Sequence, residues 1–86
     1  MMSKPIAIIT GASTGIGKYI SIKLANNNFH VILISRNKKK LKLVKSQIEK
    51  DQNECTLICA DISKELTISK ISSQLDINKV DILVNN

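Results

Sequence analysis

Residues Ile6-Ala-Ile-Ile-Thr-Gly-Ala-Ser-Thr-Gly-Ile-Gly17 run an apolar strand straight into a glycine-rich turn that opens a helix. Few folds admit this arrangement. Gly11 lets the chain turn sharply, Gly15 lets the backbone approach a diphosphate with no side chain between, and Gly17 lets the helix pack closely on a sheet. The N–H groups of the first helical turn have no partner within the helix and attract an anion. The segment is therefore read as a phosphate cradle.

The rest of the chain supplies the sheet that such a cradle needs. Apolar runs at residues 5–10, 29–35, 55–60 and 80–84 alternate with helix-length segments at about 14–26, 38–50 and 63–75. That rhythm predicts an α/β fold: a Rossmann-type, doubly wound parallel sheet of about four strands and three helices. Right-handed crossovers, with winding reversed after the third strand, predict the order 3-2-1-4. In the first helix Ile16, Ile20 and Leu24 share one face, and Asn26, Asn27 and Asn28 end it because asparagine tolerates the left-handed conformation. In the second, Leu41, Val44 and Ile48 form the apolar stripe and the lysines face water. The ligand crevice of such a sheet lies at the carboxyl ends of the first and fourth strands, next to Gly11–Gly17.

Composition narrows the partners. Eighty-six residues make one small domain, in which about 60% of the unfolded chain's surface becomes buried. Seven of the thirteen positive side chains fall between Arg36 and Lys50, where Glu49 is the single acid, so the net charge of +6 is local. The run reads as the solvated face of a helix, with a phosphate-attracting patch or a targeting signal as the alternatives. With Tyr19 and Phe29 as the only aromatics, the stacking platforms of single-stranded nucleic-acid binders are missing, and nucleic acid is disfavoured as a partner. Cys55 and Cys59 lie about 13 Å apart on one strand, too far to bridge, and are read as core thiols. With the lone His30 they make no zinc quartet, so a reducing compartment follows. No apolar run is long enough for a signal peptide or a membrane span, and a cytoplasmic location is expected.

A Walker A loop is excluded at two positions. With Gly17-Lys18 as its closing pair, the opening glycine would fall on Ala12 and the magnesium-binding hydroxyl on Tyr19. The Gly-x-Gly-x-x-Gly fingerprint also fails, because these glycines are spaced otherwise. Thr10-Gly-Ala-Ser-Thr-Gly-Ile-Gly17 instead resembles the Thr-Gly-x-x-x-Gly-x-Gly motif of the short-chain dehydrogenase/reductase family at every fixed position. Asp61 is similar to that family's acidic residue after the third strand, and Val84-Asn85-Asn86 to the start of its Asn-Asn-Ala-Gly motif. The resemblance implies cofactor contacts at Thr10, Gly11, Ser13, Thr14, Gly15, Ile16, Gly17, Arg36, Asn37, Asp61, Ile62 and Asn85, with adenine at Asp61.

The end of the second strand selects the nucleotide, since it meets the adenosine ribose. There the sequence reads Ser35-Arg36-Asn37. An acid would accept from a free 2′-hydroxyl, whereas Arg36 can hold a 2′-phosphate through charge-assisted bonds, to which Ser13 and Thr14 add hydroxyls. NADP is favoured over NAD, and family members with arginine here are typically NADP-dependent.

Members of the family work with a Tyr-x-x-x-Lys pair, and Tyr19-Ile-Ser-Ile-Lys23 has that spacing. Its location on the first helix is wrong for facing a nicotinamide, so both residues are read as surface side chains and no residue is assigned a catalytic role. By resemblance the 86 residues are expected to form a partial NADP-binding domain, the first third of a family subunit, inactive without the catalytic Ser, Tyr and Lys. Self-association through the fourth strand's apolar edge, or pairing with a missing C-terminal half, is expected. The alternatives are a non-catalytic module binding nucleic acid or protein through its basic helix, and an inert truncated product.

Overall fold

The computed structural model describes residues 4–60 and 80–86. Strands β1 (Ile6–Thr10), β2 (His30–Ser35), β3 (Cys55–Cys59) and β4 (Val80–Val84) form one parallel sheet in the order β3-β2-β1-β4, the predicted topology. Helices α1 (Gly15–Asn26) and α2 (Lys38–Lys50) connect the first three strands. The third helix expected at 63–75 lies outside the described residues, as do Asp61 and Ile62.

The central strands β1 and β2 are near-continuous apolar runs because their side chains are buried on both faces of the sheet. Ala7 and Ile9 of β1 and Val31 and Leu33 of β2 point to one face, where Leu41, Val44 and Ile48 of α2 and Ala25 of α1 close over them. Ile8, Ile32, Ile34 and Ile58 form a second cluster on the opposite face. Register fixes this division: Ile8 pairs with Ile32 and Ile9 with Leu33, so alternate residues of adjacent strands stack on the same side. The β1–β4 register slips between Ile6 and Ala7, where the Asp81 carboxylate accepts the Ile6 N–H at 2.9 Å.

Helix α2 matches expectation, with Leu41, Val44 and Ile48 buried. Helix α1 does not. Its buried residues are Gly17, Ser21 and Ala25, while Ile16 is 69% exposed. Small side chains spaced four apart let the helix axis approach the sheet, a placement that a ridge of isoleucines would hold off. Ser21 satisfies its buried hydroxyl by donating to the Gly17 carbonyl at 2.7 Å. The helix ends as read, with Asn28 at φ +70°; α2 ends the same way at Gln52, φ +63°.

The reading of both cysteines as core thiols also needs correction. Cys55 is half-buried, and Cys59 is exposed. β3 is the margin of the described sheet, so a strand-like run there does not imply burial.

Candidate functional site

An open cleft of about 700 Å³ lies across the carboxyl ends of the strands. The glycine loop contributes Gly11, Ser13 and Thr14, the end of β2 contributes Ile34 to Asn37, and the first turn of α2 contributes Lys38 and Lys40. Ala60, beyond β3, and Asn86, beyond β4, complete it. Its size is within the range of small-molecule sites, and its position is the one parallel sheets use for ligands.

Behind the cleft, the loop is tied to its neighbours. Thr10, 5% exposed, accepts the Asn86 backbone N–H on its hydroxyl at 3.1 Å, and that oxygen lies 3.2 Å from the Asn85 side-chain oxygen, to which it donates. The Asn86 amide donates to the Gly11 carbonyl at 3.2 Å. Gly11 turns the chain at φ +61°, and the Ala12 N–H donates to the Ile34 carbonyl, fastening the turn to β2. Gly17 is where α1 meets this loop: a Cβ there would overlap the Gly11 carbonyl oxygen and stand 2.9 Å from its carbon. At Gly15, φ +54°, an added Cβ would meet nothing within 4 Å, so that position faces open space.

The two helix starts differ. Asn37 caps α2, accepting the Lys40 N–H at 3.0 Å on its side chain. Thr14 occupies the same position before α1, yet its side chain makes no capping hydrogen bond. The positive end of α1 is thus left without an anionic or side-chain cap beside the glycine loop. Across the cleft, Lys38, Lys39 and Lys40 form the first turn of α2 with no acid among them, which places three cations at the positive end of a helix dipole. Both walls of the cleft carry the sign that binds anions.

A pair of hydroxyls joins those walls. Ser13 Oγ and Ser35 Oγ are 2.8 Å apart, and the Asn37 N–H donates to Ser35 Oγ at 3.2 Å. One of the two hydroxyl protons bridges the pair, so the other is left to be donated elsewhere.

Residues 5–86 match the sequence profile of the short chain dehydrogenases. The chain belongs to the short-chain dehydrogenase family. It is 40% identical to 17-beta-hydroxysteroid dehydrogenase type 3 of Mus musculus, over 93% of this chain and 27% of the mouse protein. The NADPH-dependent reductase BacG of Bacillus subtilis is 38% identical, over 99% of this chain and 34% of that protein. Among solved structures, a metagenomic short-chain oxidoreductase in complex with NADP superposes with a TM-score of 0.89 at 32% identity, covering 99% of this chain and 39% of the other. The chain thus spans about a quarter to two fifths of the length of these relatives.

Of the residues that the family resemblance marks for cofactor contact, Gly11, Ser13, Thr14, Arg36 and Asn37 line the cleft. Thr10, Gly17 and Asn85 stand behind it and fix the loop, while Gly15 and Ile16 are exposed and do not line it. Ile34, Ser35, Lys38, Lys40, Ala60 and Asn86 line it without having been singled out as contacts. Ser35 and Asn86 adjoin residues that were, so motif proximity was an available signal. Lys38 adjoins Asn37 in the same way, whereas Lys40 stands within a basic run that on a helix ordinarily faces solvent. Tyr19 and Lys23 are exposed on α1 and do not line the cleft.

Proposed function

We propose that these residues form the NADP-binding portion of a short-chain oxidoreductase, the diphosphate lying at the glycine loop and the adenosine 2′-phosphate at Arg36. The observation that carries the reading is the uncapped start of α1, which sits behind a glycine loop and faces the basic end of β2 across one cleft. The donor set suits the group: N–H groups at a helix start for the diphosphate, and a guanidinium with nearby hydroxyls for a phosphate dianion. The NADP complex of the metagenomic relative and the NADPH dependence of BacG support the choice of nucleotide. NADPH, when bound, supplies a hydride for a carbonyl substrate. In this reading the residues seen here bind and orient, and Gly11, Ser13, Thr14, Gly15, Ile16 and Gly17 hold the diphosphate end. Thr10 and Asn85 fix the loop, Asn37 accompanies Arg36 at the ribose, and Asp61 and Ile62 meet the adenine.

Hydride transfer needs a proton donor beside the nicotinamide, and Tyr19 stands on the outer face of α1, away from the cleft. We therefore assign the 86 residues cofactor binding without turnover of their own, the catalytic groups coming from a further polypeptide segment. Among the described residues no helix is long and apolar enough to cross a membrane. Two free cysteines suit a reducing compartment, and we place the protein in the cytoplasm. Titration with NADPH, followed by its fluorescence with NADH in parallel, tests the reading. Saturable binding that favours NADPH about tenfold or more, lost in Arg36→Ala, is expected from a charge-assisted contact. Equal affinity for the two nucleotides, or none, overturns it.

A further inference from the structure

Helices α1 and α2 pack side by side over one face of the sheet, where Ala25 of the first and Leu41, Val44 and Ile48 of the second join one core cluster. Their opposite faces therefore point the same way and make a single outer surface. On α1, Tyr19 stands about 160° round the axis from buried Ser21, and Lys23 follows it one turn later. On α2, Lys39, Leu43 and Lys50 follow one another at one and two turns on the side away from the buried stripe, with Lys42 beside them. All six are exposed, Tyr19 to 66% and Leu43 to 65%.

The charge on this surface has one sign. Helix α1 contains no acid. Glu49, the acid of α2, lies on the flank that faces β3, where it and Lys45 act on the Cys55 thiol. Among the described residues the four outer lysines make no salt bridge. Lysines alone would suit any polyanion, and the two apolar side chains among them decide which. Nucleic-acid phosphates give an exposed leucine nothing to bury against, and two isolated side chains are too little apolar core for a stable protein interface. A bilayer with anionic headgroups offers both partners, charge at the level of the lysines and hydrocarbon just below it.

We infer that the outer face of α1 and α2 docks on an anionic lipid surface, with Tyr19 and Leu43 entering the headgroup layer among Lys23, Lys39, Lys42 and Lys50. Tyrosine suits that depth, since its ring is apolar and its hydroxyl stays wet. Lysine stems lie along the apolar boundary while their ammonium groups remain with the headgroups. The inference is independent of the nucleotide reading, because none of the six residues lines the cleft.

The test is co-sedimentation of the chain with vesicles of phosphatidylcholine alone or mixed with phosphatidylserine, at low and high salt, for the wild type, Leu43→Ser, Lys39→Gln and Lys45→Gln. The wild type is expected to bind the vesicles that contain phosphatidylserine and to be released by salt. Leu43→Ser should weaken that binding about tenfold through lost burial, and Lys39→Gln about fivefold. Lys45→Gln removes the same charge from the flank that faces β3 and should change it less than about twofold. Binding to neither vesicle, or to both alike, overturns the inference. So do an unchanged affinity in Leu43→Ser and equal losses in the two lysine variants, which would report summed charge alone. A duplex oligonucleotide bound more tightly than the vesicles assigns the surface to nucleic acid instead and overturns it too.

Discussion

Gly17, in the first turn of α1, packs directly against the carbonyl of Gly11, and a methyl group at position 17 would occupy that oxygen's place. The helix start and the loop start are thus in backbone contact, and that contact brings the uncapped end of α1 to the edge of the cleft. Neither side can yield easily, because Gly11 is also held by the Asn86 amide.

Gly17→Ala is expected to destabilise the fold by about 3 kcal/mol, the upper range for forcing a methyl into packed surroundings, and to lower Tm by at least about 10 °C in a domain of this size. Gly15→Ala meets no atoms but keeps a left-handed φ, so its loss should be about 1–2 kcal/mol. Thermal melts followed by circular dichroism give the comparison. A Gly17→Ala variant as stable as wild type would show that α1 is not held against the loop.

Thr10→Val keeps shape and burial but removes the oxygen that accepts the Asn86 N–H. Asn86 is exposed and water can serve its N–H, so the loss should be that of an ordinary hydrogen bond, about 0.5–1.5 kcal/mol, and Thr10→Ser, which retains the hydroxyl, should recover most of it. Urea titration of the three proteins reads the difference as a shift in midpoint.

Asn37→Asp separates stability from binding. The carboxylate can still accept the Lys40 N–H, and a negative charge at this end of α2 beside three lysines should add about 0.3–1 kcal/mol. The same charge lies in the cleft and repels a 2′-phosphate, so affinity for NADPH should fall about tenfold while NADH is spared. A melt and a pair of fluorescence titrations would show the opposed changes; parallel changes in both would contradict the placement of the ribose end.

The two cysteines should differ in reactivity. Burial, with repulsion from Glu49 added and Lys45 opposing, pushes the Cys55 thiol up from its ordinary value of 9.0, so less thiolate is present at a given pH. Cys59 is exposed. Iodoacetamide at pH 8, followed by peptide mass spectrometry, should modify Cys59 at least about fivefold faster. The sign of the shift also predicts that Cys55 labelling keeps climbing as pH rises past 9.

The sequence by itself determined the topology and the family. Spacing of glycines is a local, covalent fact, and apolar runs of strand length between helical segments leave few ways to bury both faces of a sheet, so the order β3-β2-β1-β4 follows from the sequence. The stripe of α2 was equally legible, because Leu41, Val44 and Ile48 recur at helical spacing in a helix that is otherwise mostly polar. Tertiary structure decided the rest. The buried face of α1 is Gly17, Ser21 and Ala25, since close approach to a sheet is limited by side-chain volume, which a hydrophobic pattern does not measure. That Lys38 and Lys40 line the cleft and Lys39 does not follows from where the start of α2 sits beside the end of β2. The pairing of Ser13 with Ser35, twenty-two positions apart, exists only because β1 and β2 lie side by side. Distances of that kind are set by packing, and the order of residues along the chain does not contain them.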